Sequence, residues 1–243
     1  VQVLVAGGVE LDRPSVTEGL TPLAMARERG YATLERVLAA AQRHRATDDP
    51  DAVLLASAAA GDADAVALAV RDGADLEARD AAGRTALLLA SAGDHVEVAR
   101  VLVALGADPD AVDAQQDTPW LVTGVTGSVE MLEVLLPAGP DLGLVNRFGG
   151  VSVIPASERG HVEYVRRVVA TGIDVDHVNR LGWTALLEAV ILGDGGARHQ
   201  DVVRVLLAAG ADASIGDRDG ATPLEHAIRL GHEELAAILR EQR

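Results

Sequence analysis

A short phrase returns along this chain at a nearly fixed interval. Gly-Ala-Asp stands at Gly73-Ala74-Asp75, Gly106-Ala107-Asp108 and Gly210-Ala211-Asp212, with degenerate copies at Gly8-Val9-Glu10, Gly139-Pro140-Asp141 and Gly172-Ile173-Asp174. A second marker, an Asp or Asn that opens a turn, falls at Asp80, Asp113, Asn146, Asn179 and Asp217, with separations of 33, 33, 33 and 38 residues. Such a period is too short for independent domains and suits an array in which each unit packs only against its neighbours.

The signals inside one period agree with each other. From Asp80 a polar turn, Asp80-Ala81-Ala82-Gly83, leads to Thr85, a residue suited to capping the segment Ala86–Ala92. Leu87, Ala90 and Ser91 fall at i, i+3 and i+4, which gives that segment one buried face. After a break at Gly93-Asp94, a second segment, His95–Leu105, carries Val98, Val101, Leu102 and Leu105 on one stripe, and Gly106 ends it. Neither helix can bury its stripe alone. The expected fold is all-α, a helical repeat solenoid of stacked helix pairs with β-turn fingers.

The residues DAAGRTALLLASAGDHVEVARVLVALGADPDAV resemble the ankyrin repeat, and the likeness returns in NRLGWTALLEAV, in HQDVVRVLLAAGADAS and in DRDGATPLEHAIRLGHEELAAILR. The resemblance divides the chain into modules 16–47, 48–79, 80–112, 113–145, 146–178, 179–216 and 217–243, with 1–15 as the tail of an upstream repeat. Residues 146–243 are similar, more specifically, to compact bacterial ankyrin proteins. The resemblance implies ankyrin-type helix pairs, protruding fingers and a concave face that binds a protein partner. It also implies that His95, His161, His199 and His232, which share one slot, are structural.

Departures from the pattern carry their own expectations. The module 16–47 ends in AAAQRHRATDDPD without a Gly-Ala-Asp finger, so a seam at 42–51 competes with a continuous stack, which we favour. Pro137 and Pro140 should end the outer helix of 113–145 early. Pro155 stands in the first turns of the inner helix of 146–178, and Asp194-Gly195-Gly196-Ala197-Arg198 adds five residues between the helices of 179–216. The first residue is Val and VQVLVAGG reads as the end of an outer helix, so upstream sequence is expected; the cytoplasm is the expected location, with export left open.

Composition removes whole classes of function. Twenty-one basic residues, all of them Arg, face 37 acidic ones, for a net charge of −16. That balance argues against nucleic acid and anionic membranes, and at long range it favours a basic partner. With no Cys, thiol nucleophiles and Cys-based zinc sites are excluded. No apolar run reaches the roughly 18 residues of a membrane span. No cofactor, metal or catalytic residue is expected, and the chain is expected to act as a monomer.

The partner-binding residues are sought where unusual side chains gather. Arg147, Phe148, Arg180, Trp183 and Arg218 fall at finger positions, and Arg159, Ile191, Leu192 and Arg229 near the ends of inner helices. The three finger arginines share one slot and should form a ladder suited to carboxylates. Glu188 and His226 occupy one slot in neighbouring repeats, opposite the apolar stripe. Adjacent helices pack about 8–10 Å apart, so the two could meet as a base with its orienter. The leading reading is a non-catalytic protein-interaction scaffold. Its alternative is a small-molecule binder or unusual enzyme around Glu188, Trp183 and His226.

Overall fold

The computed structural model describes residues 1–241, and among these residues every regular element is a helix. The chain divides into two compact units, Val1–Asp108 and Pro109–Arg243, each considered by itself.

The first unit contains α1 (Gln2–Ala6), α2 (Pro22–Glu28), α3 (Ala32–Arg43), α4 (Pro50–Ala60), α5 (Ala63–Arg71), α6 (Ala86–Ala92) and α7 (Val96–Ala104). From α2 onward successive helices pack as pairs, and α4 stacks on α6 as α5 stacks on α7. The helix α1 packs chiefly on α5, and Val5 joins Leu11, Leu23, Ala26, Val37, Leu38 and Ala41 in a small apolar core. Where the finger is missing, the chain after α3 is tied down differently. The His44 Nε2 lies 2.7 Å from Asp72 Oδ2, and the Thr47 N–H donates to the same oxygen at 3.1 Å. Burial alone would raise the Asp72 carboxyl, but the His44 and Thr47 bonds outweigh that and hold it low.

The second unit is a regular two-layer stack. Its inner helices are α8 (Pro119–Thr126), α10 (Val153–Glu158), α12 (Ala185–Ile191) and α14 (Pro223–Leu230). Its outer helices are α9 (Val129–Leu135), α11 (Val162–Val169), α13 (Ala197–Ala208) and α15 (Glu233–Arg240). Each inner helix packs on its own outer helix and on the inner helices before and after it, and the outer row stacks in the same way. The core is made of small aliphatics with two larger insertions, Trp120 and Tyr164.

Caps set the starts of the inner helices. The Thr118, Thr184 and Thr222 side chains accept from the N–H groups of Leu121, Leu187 and Glu225. In the module 146–178 the Thr slot holds Val151, the cap position falls on Ser152, which makes no cap bond, and α10 is correspondingly short. Pro137 does end the outer helix early: α9 stops at Leu135 and a single 3₁₀ turn, Leu136–Ala138, follows. Gly124 allows a close approach of two inner helices, since a methyl group there would collide with the Ser152 carbonyl.

The repeated histidines hold neighbouring repeats together. The Nε2–H of His161 donates to the Val125 carbonyl at 3.2 Å, and that of His199 to the Glu158 carbonyl at 2.9 Å. In the first unit His95 does the same to Ala59 at 3.0 Å. Gly127 has φ +72° and no room for a Cβ beside the His161 ring, so the glycine is needed twice over. Part of the five-residue insertion becomes helix. The helix α13 begins at Ala197, and Asp194 Oδ1 lies 2.7 Å from His199 Nδ1.

Candidate functional site

The fingers of the second unit are built from Asx turns. Asn146 Oδ1 accepts from the N–H groups of Phe148 and Gly150, Asn179 Oδ1 from those of Leu181 and Trp183, and Asp217 Oδ1 from those of Asp219 and Ala221. This local capture explains why only Asp or Asn opens each finger: the side chain replaces a backbone acceptor.

The turn residue then reaches its own inner helix nine positions on. Asn179 Nδ2 donates to Glu188 Oε1 at 2.7 Å, and His226 Nε2 lies 2.8 Å from Asp217 Oδ2. The expected Glu188–His226 pair is therefore corrected. Each side chain is bound within its own repeat before it can reach its neighbour. The chemistry of His226 is closed as well, because its Nδ1 accepts from Arg229 Nη2. With both ring nitrogens engaged and 4% of the residue exposed, His226 has no free nitrogen for proton transfer or metal binding. The Asp217 carboxyl is pushed up by burial. The Ala221 and Asp219 N–H groups and His226 more than reverse this, so it sits low.

Glu188 is different. It is 6% exposed, and its Oε2 has no hydrogen-bond partner among the described residues. Burial first, then the charge of Glu158, push its carboxyl up to about 7 against the opposing Asn179 bond. It lines a cleft of about 440 Å³ that the fingers and inner helices form together. Around it stand Glu158 and Arg159 from the end of α10, Asp117 and Arg147 from the turns, and an apolar wall of Phe148, Ile154, Pro155, Leu181 and Leu192. The Asp117 carboxyl is also raised, by burial and by Asp113, with Arg147 opposing.

The finger arginines do form a ladder, but each rung is anchored. Arg147 Nη1 donates to Gln115 Oε1 at 2.7 Å, Arg180 Nη1 to the Arg147 carbonyl at 2.8 Å, and Arg218 Nη2 to the Arg180 carbonyl. The stems of Arg180 and Arg218 lie over Gly149 and Gly182, where a Cβ would obstruct them. Arg147 also covers the Phe148 ring, 4.6 Å from its centroid. Each guanidinium keeps further N–H groups beyond the one used on the preceding finger.

Ion pairing is more frequent on the outer side of the unit than on the finger side. Three outer-helix arginines are paired, Arg166 with Glu163, Arg167 with Glu133 and Arg204 with Asp201, whereas Arg198 and Arg240 make no ion pair among the described residues. On the fingers and inner-helix ends, Arg147, Arg159, Arg180, Arg218 and Arg229 pair with no carboxylate among the described residues. Phe148 is 53% exposed, Leu181 and Leu192 are exposed in the same cleft, and Ile228 and Leu230 are exposed on α14. Trp183 departs from expectation. It precedes the cap Thr184, its N–H is tied to Asn179, and its side chain is half-buried and outside the cleft. Ile191 is likewise half-buried and does not line the cleft, whereas Leu192 does.

Sequence reasoning missed Asp117, Asn146, Ile154, Pro155, Glu158 and Asn179 as lining residues. The spacing from turn residue to inner-helix slot, repeated at Asn179/Glu188 and Asp217/His226, was the available signal. Among the described residues no group of three His, Asp or Glu side chains is placed to hold a metal, and no helix is long and apolar enough to cross a membrane.

Stacked helix pairs, turn-built fingers and a cleft shared between them define a helical repeat protein whose exposed face is assembled from successive repeats. The family model for ankyrin repeats (three copies) matches residues 23–113, 120–217 and 156–243. The chain belongs to the ankyrin repeat family. It is similar to an ankyrin repeat domain from Acinetobacter baumannii AYE, at 42% identity and a TM-score of 0.75, covering 81% of this chain and 98% of that one. It is also similar to the ankyrin repeat protein EF0377, at 36% identity and a TM-score of 0.75, over 79% and 98% of the two chains. The putative ankyrin repeat protein YahD of Escherichia coli (strain K12) is 48% identical over 56 residues, which are 23% of this chain and 28% of that protein. This family consists in general of protein–protein interaction modules and is typically non-enzymatic.

Proposed function

We propose that the chain is a non-catalytic interaction module that binds a protein segment across the fingers and inner-helix ends of residues 146–243. One observation carries this reading. In a chain of net charge −16, five arginines on this face have no carboxylate partner among the described residues, while Arg166, Arg167 and Arg204 on the outer helices are each paired. Guanidinium groups with free donors, a side-chain type enriched among the residues that dominate interface energies, stand here with exposed Phe148, Leu181 and Leu192. The net charge favours basic partners at long range, but the fingers themselves suit carboxylates on the segment that docks. Catalysis lacks support here because His226 is closed on both nitrogens.

The test places a photoreactive residue at Leu192, and in a second protein at Arg204 on an outer helix. Cross-linking in native lysate should give discrete protein adducts from position 192 and none from 204. The adducts should disappear when Arg147, Arg180 and Arg218 are all changed to Ala. Equal adducts from both positions, or adducts indifferent to the triple change, would sink the proposal.

A further inference from the structure

Beside the finger arginines the molecule carries an apolar groove at the start of the first unit, the buried Thr123–Tyr164 hydroxyl pair, the His226–Asp217 pair, the insertion at Asp194, and the cleft at Glu188. The cleft, unlike the other four, joins an accessible volume to a buried carboxyl whose bonding is incomplete among the described residues.

We infer that this cleft is a socket for a single cationic side chain, a lysine or arginine on the docked segment, with Glu188 and Glu158 as its counter-charges. The inference rests on the binding reading above and names what that segment must carry. Its grounds are geometric. Glu188 is nine-tenths buried, lines a cleft of about 440 Å³, and leaves Oε2 without a partner among the described residues. Glu158 lines the same cleft from the preceding repeat, so two carboxyls converge from successive inner helices. The walls between them and the fingers are Ile154, Leu181 and Leu192, which suit the methylene stem of a long cationic residue.

The arginines around the cleft do not fill this role themselves. Arg159 makes no ion pair with Glu158 or Glu188, and Arg147 is committed to Gln115 and the Phe148 ring. The state of Glu188 says the same. Its carboxyl is raised by burial and by Glu158, and no neighbouring arginine offsets this. An ammonium or guanidinium entering the cleft would meet both carboxyls, and Glu188 would ionise on binding.

Four probes decide the matter by NMR titration of the intact chain: the amides of Nα-acetyl-lysine, Nα-acetyl-arginine, Nα-acetyl-norleucine and Nα-acetyl-glutamate. The lysine or arginine probe should give saturable shifts at the Asn179 side-chain amide and the Leu192 methyls, with affinity rising between pH 6 and 8. Glu188→Gln, which keeps an acceptor for Asn179, should weaken that binding at least tenfold. Glu158→Gln should weaken it by a smaller factor and serves if the first variant does not fold. Norleucine binding as tightly as lysine would reduce the cleft to an apolar hollow and overturn the socket. So would preferential binding of glutamate, indifference to both Gln variants, or no shift with any probe. A failure here leaves the cross-linking result standing, and cross-linking can fail while the probes still bind.

Discussion

Glu188→Gln offers a test of the site that needs no ligand. Ionising Glu188 inside the fold is unfavourable, because burial and Glu158 hold its carboxyl near 7 against an ordinary value of 4.5. In the unfolded chain the group titrates normally. Between those two values the native state therefore binds more protons than the unfolded state, and stability falls as pH rises through the interval. At about 1.4 kcal/mol for each tenfold change, the full penalty is about 3 kcal/mol, nearly all of it present by pH 8 and less than about 1 kcal/mol at pH 5. Glutamine keeps the Asn179 bond and has no charge to bury. The variant should thus be about 2–3 kcal/mol more stable than the parent at pH 8 and within about 1 kcal/mol of it at pH 5. Urea unfolding followed by circular dichroism at the two pH values measures the difference. Stacked repeats can unfold in stages, so a probe in the second unit, such as Trp120 fluorescence, should be read alongside. A gap between the two proteins that is the same at pH 5 and pH 8 would refute the argument, because packing changes alone do not track protonation.

Gly124→Ala should cost about 1–3 kcal/mol, read as a lowered melting temperature, because a Cβ there collides with the Ser152 backbone and α8 and α10 must separate. His161→Ala should cost about 1 kcal/mol through the lost bond to the Val125 carbonyl, with cross-linking from position 192 unchanged. Tyr164→Phe should also cost about 1 kcal/mol, since the phenol is fully buried and lies 2.7 Å from Thr123 Oγ1; a stability unchanged in urea unfolding would mean that hydroxyl bond is worth nothing net.

The architecture was legible because it is repetitive: the glycine-bounded period, the Thr caps and the 3.6-residue stripes all pointed to stacked helix pairs. Even the early end of α9 could be read from Pro137. The site was only half legible, for a physical reason. Helix spacing suggested that Glu188 could meet His226 across repeats, yet a closer acceptor or donor, the finger's own Asn179 or Asp217, captures each first. Trp183 misled in a similar way. Register placed it on a finger, but its N–H is held by Asn179 just before a helix cap, and that draws the indole into partial cover. Periodicity reports which slot a residue fills; which neighbour it bonds depends on side-chain reach.

The same slots explain why one repeat is open and the next closed. In the module 217–243, Asp217 holds one nitrogen of His226, and Arg229, three residues further along α14, occupies the other. In the module 179–216, Asn179 holds one oxygen of Glu188, but the residue three positions on is Ile191, which has nothing to offer Oε2. In the module 146–178 the central slot is Pro155, and the position three further on is Glu158, which adds a second negative charge to the cleft instead of a donor. A donor at position 191 should therefore close the cleft as Arg229 closes its counterpart. In Ile191→Arg the Glu188 carboxyl should return toward its ordinary range, the pH dependence of stability between 5 and 8 should flatten, and the lysine probe should lose its place. Retention of probe binding in that variant, with the pH dependence already flat, would show that Glu188 is not what the cation meets.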